Sequence, residues 1–247
     1  MSKNTTAATA AVEPAQQTKR LVLVGGGKGG VGKSACARGL LEWYLRRGVS
    51  IAPWEGDDAN PTMLRFVPDA RRVLTREPLG FTPLINALES DDTVCHLVDF
   101  GAGAETTLAK FDDLLGLTDS AQQLRAKITF VFLVAPDPES IGHLPDLADR
   151  YSNRAEYVLV RAGWENGAWD FWEKTKIRAR LCSELGAVEI ALSAVDGFTF
   201  SKINEASLCW SAAAQDLRLP FTSRAIAGRW LAKTCAEFDK AEKLLLP

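Results

Sequence analysis

Three short clusters of residues in this chain have the types and spacing of a site that handles phosphate and a divalent cation. The first is Gly25-Gly-Gly-Lys-Gly-Gly-Val-Gly-Lys-Ser34, in which Gly27, Gly32, Lys33 and Ser34 fill the fixed places of G-x-x-x-x-G-K-S/T. Glycines let a backbone take positive φ and bring its N–H groups against phosphate oxygens. The expected cradle is therefore Gly27, Lys28, Gly29, Gly30, Val31, Gly32, Lys33, Ser34 and Ala35. Lys33 is expected to reach the β and γ phosphates, and the Ser34 hydroxyl to hold Mg²⁺. The second cluster is Glu55-Gly-Asp-Asp58. A carboxylate beside a γ phosphate can orient water by accepting its proton in a hydrogen bond. Asp57 and Asp58 are the two candidates for such an acid, while the following Asn60-Pro61 allows the plainer reading that these acids only build a turn. The third is the apolar run His96-Leu-Val closing on Asp99 and followed by Phe-Gly-Ala-Gly103. A strand-end acid of this kind binds Mg²⁺ through water. Gly103, in a glycine-containing segment able to order around a γ phosphate, is the expected sensor through its N–H.

These clusters cooperate only if strand ends bring them to one edge. Leu21-Val-Leu-Val24 precedes the first cluster and the helical pattern from Ala35 to Leu45 follows it. Strand-like runs fall at 20–25, 50–54, 94–100, 127–135, 155–161 and 187–193. Helical patterns fall at 33–47, 81–91, 104–117, 139–152, 168–186, 199–216 and 223–245. Such alternation predicts an α/β fold with a mostly parallel sheet, helices on both faces and ligands at the carboxyl ends of the strands. Pro53 predicts that its strand ends early or is distorted. Residues 1–19 lack periodicity and are expected to be a disordered tail, leaving 20–247 as one domain. The formal charge of −2 gives no global footprint for nucleic acid. No apolar run approaches membrane-spanning length and no signal peptide is visible, so a cytoplasmic location is expected. The five cysteines are scattered without a C-x-x-C pair, which argues for reduced thiols rather than disulfides or a metal site. His96 and His143 are too isolated for a metal cluster, and His96 reads as structural.

Lys28 narrows the reading. The septet Lys-Gly-Gly-Val-Gly-Lys-Ser34 resembles the deviant P-loop of the ParA/MinD family of ATPases. The resemblance implies a doubly wound P-loop NTPase fold, ATP and Mg²⁺ as ligands, and a homodimer that forms with ATP and is dissolved by slow hydrolysis. It implies that Lys28 reaches the nucleotide of the facing subunit, where a cation stabilises charge on the transferring phosphoryl group. Catalysis would then rest on Lys28, Lys33 and Asp57, and the metal site on Ser34, Asp57 and Asp99. Asp57 matches the second acid of the family's D-x-D-x-x-x-N pattern, the first being replaced by Glu55. Asp99-Phe-Gly-Ala-Gly103 is similar to the second switch, commonly D-x-P-A-G, with Gly101 where proline is usual. Glu105 and Thr106 follow and are expected to face the dimer partner. Arg161 stands where many relatives carry an asparagine that reads adenine; it could stack on the base or pair with a nearby acid. The loop at Ser193–Asp196 is expected to pass beside the base.

The motifs, Val98 to Gly103 above all, look more like those of plasmid partition and conjugation or mobilisation ATPases than of division-site proteins. A protein partner that stimulates or uses the ATP state is expected. Non-specific DNA is a possible partner through Arg218, Arg224, Arg229 and Lys233, or Lys174, Lys176, Arg178 and Arg180, although such interleaved charges commonly form only a solvated face. The C-terminal residues 237–247 invite comparison with the membrane-targeting helix of the MinD branch. Glu237, Asp239 and Glu242 dilute its basic character, so packing onto the domain is expected instead, and a membrane is not an expected partner. Trp164, Trp169 and Trp172 are either a partner-binding patch or core filling, the second being preferred. Two other classes stay open: a metallochaperone-type relative, which needs paired cysteines, and a nucleotide-locked scaffold that barely hydrolyses.

Overall fold

The computed structural model of the chain describes residues 18–163 and 169–247. In chain order the elements are β1 Lys19–Gly25, α1 Lys33–Arg46, β2 Ile51–Gly56, α2 Thr62–Phe66, β3 Arg71–Arg72, α3 Thr82–Ser90, β4 Cys95–Phe100, α4 Ala104–Leu115 and α5 Leu117–Gln123. They continue as β5 Ala126–Val134, α6 Leu144–Tyr151, β6 Glu156–Ala162, α7 Asp170–Glu173, α8 Lys176–Ser183, β7 Val188–Leu192, α9 Gly197–Glu205, α10 Trp210–Ala213, α11 Phe221–Lys240 and α12 Glu242–Leu245. The strands form one seven-stranded sheet, order β3-β2-β4-β1-β5-β6-β7, and every neighbouring pair is parallel.

The central strands are apolar on both faces, as a parallel sheet covered by helices requires. Successive residues alternate between faces. Leu21 and Leu23 therefore join the core beneath α3–α6, and Val22 and Val24 join the core beneath α1 and α11. A third cluster, with Trp210, Leu219 and Trp230 among its members, ties α9, α10 and α11 together.

The C-terminus packs onto the sheet. Arg20 on β1 is 1% exposed. Its guanidinium donates to the carbonyls of Leu246 (2.6 Å) and Leu244 (2.7 Å), to Thr129 Oγ1 (2.7 Å) and to Glu156. Tyr44 adds a bond to the Leu245 carbonyl at 2.6 Å, and Leu245 is fully buried. Among the described residues no helix is long and apolar enough to cross a membrane.

Several details differ from expectation, the splitting of the helices expected over 199–216 and 223–245 among them. β2 continues through Pro53 to Gly56. β3 pairs only with Trp54 and Glu55, so Pro53 has a neighbouring strand on one side alone, where proline is tolerated. β3 itself is two residues long and carries no pattern to read. The helix expected over 168–186 is split into α7 and α8, with Thr175 capping α8 through the Arg178 N–H at 3.3 Å. Residues 1–17 and Trp164 lie outside the described residues. Trp169 and Trp172 are core residues, 7% and 0% exposed.

Candidate functional site

Strand register sets the site. Val24 and Glu55 both lie opposite Asp99, so the three strand ends stop at one level and the glycine-rich loop opens above them. Gly30 (φ 77°) and Gly32 (φ 95°) adopt the left-handed conformation that other residues resist, and a Cβ at either would meet nothing. They are glycines for their backbone, which turns the chain into α1. That helix has no side-chain cap, and its first amides, at Lys33 to Ala35, have no partner within the helix. Such a terminus attracts anions.

Lys33 is 8% exposed and donates from Nζ to the Lys28 carbonyl at 2.8 Å. Burial lowers its pKa, opposed by the negative charges of Glu105, Asp99 and Asp57. Lys28 lies between Asp137 Oδ2 and Glu139 Oε2, 3.5 Å from each. Asp99 is wholly buried, and neither carboxylate oxygen is satisfied by a well-formed hydrogen bond. Burial pushes its pKa up to about 7, against the pull of the Ser34 hydroxyl, Arg38 and Lys33 and with the help of Glu55.

The segment after β2 is built on Glu55. Its Oε1 accepts from the Asp57 N–H (2.8 Å) and its Oε2 from those of Met63 (2.6 Å) and Leu64 (3.4 Å). Glu55 thus holds the loop and the start of α2. Asp57 Oδ1 accepts from the Ala59 and Asn60 amides at 3.0 and 2.9 Å, leaving Oδ2 available. The turn reading therefore holds for one oxygen of the carboxylate and does not use the other. Asp58 faces Arg76 at 3.9 Å. Gly101 has a steric reason: a Cβ there would stand 2.9 Å from Asp57 Cγ, so a proline would collide with that acid. Gly103 (φ 82°) is the N-cap of α4. Glu105 turns inward rather than out, its Oε1 accepting from the Gly26 N–H at 3.1 Å; Thr106 is exposed.

A cavity of about 450 Å³ adjoins the loop. Lys28 to Gly32, Ala35 and Cys36 line one side. Gly163, Ser193, Ala194, Val195, Phe200 and Trp230 line the other. Trp230 Nε1 donates to the Ser193 carbonyl at 2.8 Å and fixes that loop. The 193–195 segment is where the sequence placed a base; Gly163, Phe200 and Trp230 carry no signal that separates them from ordinary loop and core residues. Arg161 is not in the cavity lining, and of its two alternatives it takes the acid: its Nε lies 3.2 Å from Glu189 Oε1. Glu189 Oε2 also accepts from Arg178 (2.7 Å) and Trp172 Nε1 (3.0 Å).

The basic residues considered for DNA are partly engaged. Arg178 pairs with Glu189, Arg180 with Asp149 and Arg218 with Asp216, whereas Arg229 and Lys233 are exposed. All five cysteines are free, and among the described residues no group of three His, Cys, Asp or Glu could hold a metal. His96 accepts from Trp54 Nε1 at 3.2 Å inside the core.

No known protein-family model matches the chain. It is 23% identical over 217 residues to Protein MobD of Acidithiobacillus ferrooxidans, covering 86% of this chain and 93% of that protein. Among solved structures it is similar to the MinD cell division protein of Aquifex aeolicus (TM-score 0.54, 13% identity, 90% of this chain and 97% of that one). It is also similar to the septum site-determining protein MinD of Pyrococcus horikoshii OT3, solved with Mg-ADP (TM-score 0.56, 13% identity, 92% and 98%). The glycine-rich loop, the strand-end acids and the parallel seven-stranded sheet belong together: this chain has the fold of the MinD-type P-loop ATPases.

Proposed function

We propose that this chain is a Mg²⁺-dependent ATPase that closes into a homodimer around ATP, reopens after slow hydrolysis, and works in the cytoplasm in plasmid partition or conjugal mobilisation. The observation that carries the reading is Asp99. It is a fully buried carboxylate that no protein donor satisfies, among the charges that also act on Lys33 and with the Ser34 hydroxyl as a favourable neighbour. Orphaned oxygens beside a hydroxyl are the donors Mg²⁺ takes when phosphates supply the rest of its shell. Ser34 and Asp99 would hold the ion, which when bound neutralises charge on the phosphates. The chain's own groups do the remaining work. Amides of the loop and of the α1 terminus receive the phosphates, and Lys33 exchanges the Lys28 carbonyl for them. Asp57 Oδ2 orients the attacking water, the Gly103 N–H senses the γ phosphate, and Lys28 leaves Asp137 and Glu139 to act on the facing subunit. The cavity between the loop and residues 193–200 takes the nucleoside. Similarity to MobD supports mobilisation, and the solved complex of MinC with MinD of Aquifex aeolicus supports a protein partner.

A second reading, a nucleotide-locked scaffold with little turnover, is favoured by Glu55, whose carboxylate is occupied by backbone amides rather than turned to the site. One experiment separates them: light scattering of wild type and Asp57→Ala with ATP or ADP and Mg²⁺, with phosphate release followed in parallel. A dimer with ATP alone, made persistent by Asp57→Ala as turnover falls, supports the switch; DNA binding is then tested on the trapped dimer, with Arg229 and Lys233 as first targets. A persistent dimer in wild type with no turnover supports the scaffold. A chain that stays monomeric with ATP rules out both dimer readings.

A further inference from the structure

The sheet has a second hollow at its other end, where β5 and β6 begin. It is a cavity of about 680 Å³, bounded by the first residues of those strands, by α5 and by the turn at Asn153-Arg154. Its size suits a small molecule. Thr118 on α5 lines it; the residue is 6% exposed, and its hydroxyl is buried with no hydrogen-bond partner among the described residues. Such a hydroxyl asks for a group that the chain does not supply. The charge balance says which kind. Arg125, Lys127 and Arg154 share the lining with one carboxylate, Glu156. Glu156 is already taken by Arg20, which is buried behind it. Lys127 reaches Glu156 only at 3.9 Å, and Arg154 stands at the same distance from Asp119. Arg125 has no side-chain hydrogen bond or ion pair among the described residues. The backbone is bent to present these cations. Arg125 and Ser152, the neighbour of Asn153, take φ of 54° and 44°, a region that residues other than glycine resist. Arg125 is held there by its N–H on the Gln122 carbonyl (3.0 Å) and by the Lys19 N–H on its own carbonyl (3.1 Å). Strained backbone of this kind gathers at ligand sites.

We propose that this cavity binds a small phosphorylated molecule. Arg125, Arg154 and Lys127 take its phosphate, Thr118 adds a hydroxyl, and Ala121, Ile128 and Ala155 support an apolar body. Guanidinium forks match phosphate oxygens in pairs. A dianion suits a lining whose positive charge exceeds what its one carboxylate offsets, and a singly charged carboxylate would leave part of that charge unanswered. A DNA backbone meets a protein along an open surface, and its phosphates would stop short of a hydroxyl buried in a cavity. The site is separated from the glycine-rich loop by the length of β5, nine residues or about 30 Å. It therefore stands independently of the nucleotide reading.

The test is a titration of the full ¹⁵N-labelled chain, followed by amide NMR, with phenyl phosphate as the probe and benzoate and phenol as controls. Phenyl phosphate should shift the amides of Gln122, Arg125, Lys127 and Asn153 saturably, benzoate several-fold more weakly, and phenol not at all. Arg125→Gln and Arg154→Gln should each weaken phenyl phosphate by about tenfold, as loss of a charged hydrogen bond does. Lys202→Gln, on α9 at the opposite end of the sheet, should leave it unchanged. Thr118→Val should bind the probe several-fold more weakly while its urea midpoint holds or rises, because the change removes a hydroxyl that nothing satisfies. A lowered midpoint would mean that the hydroxyl already has a partner inside the fold, and would overturn its role. No saturable shift at these amides, equal shifts with phenol, or shifts confined to Gly29–Lys33 would overturn the site. A 20-base-pair DNA duplex that shifts the same amides more tightly than phenyl phosphate would assign the cations to nucleic acid and overturn the small-molecule reading.

Discussion

Gly101→Ala is the sharpest probe of the site, because the structure gives both its cause and its size. A Cβ at this position stands 2.9 Å from Asp57 Cγ, 3.0 Å from Oδ1 and 3.2 Å from Cα. Unstrained carbon contacts sit at about 3.5–4.0 Å, so the Asp57 loop must retreat by roughly 0.6–1 Å. Glu55 restrains the loop through the Asp57 N–H, so the shift falls on the carboxylate and its turn. A misplacement of about 1 Å in a group that orients a reactant costs up to about 10²-fold in rate. Overpacking of this size also costs about 1–3 kcal/mol of stability. Phosphate release under saturating Mg-ATP should therefore fall by about one to two orders of magnitude. Affinity for a fluorescent ATP analogue should hold, because Gly101 does not line the nucleoside cavity. The decisive control is Asp57→Ala with and without Gly101→Ala. With the carboxylate gone the collision largely disappears, so the second change should add little to either the rate or the stability loss. Wild-type turnover in Gly101→Ala, or full additivity with Asp57→Ala, would refute the argument that this glycine exists to seat Asp57.

Asp99 should leave a signature in pH-dependent stability. Its folded pKa, raised by burial to about 7, lies above the usual carboxylate value. Between about pH 4 and pH 7 the unfolded chain therefore binds fewer protons, and Asp99 makes stability fall as pH rises. His96, lowered by burial to about 4, acts in the opposite sense between about pH 4 and 6.5. Denaturant midpoints for Asp99→Asn minus wild type isolate the first effect, and a flat difference across that window would exclude it. The same variant should lose Mg²⁺-dependent nucleotide binding. Arg20→Met should cost about 2 kcal/mol in urea unfolding and expose the C-terminal amides to hydrogen exchange, because it removes the donor for the Leu246 carbonyl, one of two donors to the Leu244 carbonyl and the nearer cation of the partly exposed Glu156. Phe200→Ala should weaken ATP by about tenfold, as loss of an aromatic ring against a base does. Competition by inorganic triphosphate should stay unchanged, and an equal loss for both ligands would place Phe200 outside the nucleoside contact.

The glycine-rich end of the candidate site is legible in the sequence because the chemistry it matches fixes residue types at neighbouring positions. Gly30, Gly32, Lys33 and Ser34 are adjacent in the chain and adjacent in space, and apolar strands on either side of the loop and before Asp99 announce the sheet. The cavity beside the loop is not legible in the same way. Gly163, Phe200 and Trp230 come from three separate segments and contribute backbone and apolar surface, which any loop or core position could offer. Glu105 escaped because its direction depends on how α4 leaves the Gly103 cap, a matter of geometry rather than residue type. Arg161 was readable only as two alternatives, since its partner Glu189 is on β7 and nothing in the sequence says the two side chains meet.

The two departures from the expected motifs are one structural fact. Glu55 is long enough to span from β2 to the start of α2, and it gathers the amides of Asp57, Met63 and Leu64 on its two oxygens. Drawing in the Asp57 amide brings that residue against the end of β4, where Gly101 alone leaves room for it. Glycine where proline is usual is thus what lets an acid at 57 stand beside the second switch segment while its loop is anchored by a glutamate. The same arrangement places Glu55 near enough to Asp99 to help raise its pKa, so the anchor and the buried strand-end acid are electrostatically linked. Shortening Glu55 to aspartate would give up part of the amide set and release Asp57 from the pocket that Gly101 keeps open. The substitutions therefore form a matched pair, and restoring the common motif at one of them without the other should damage the site more than restoring both.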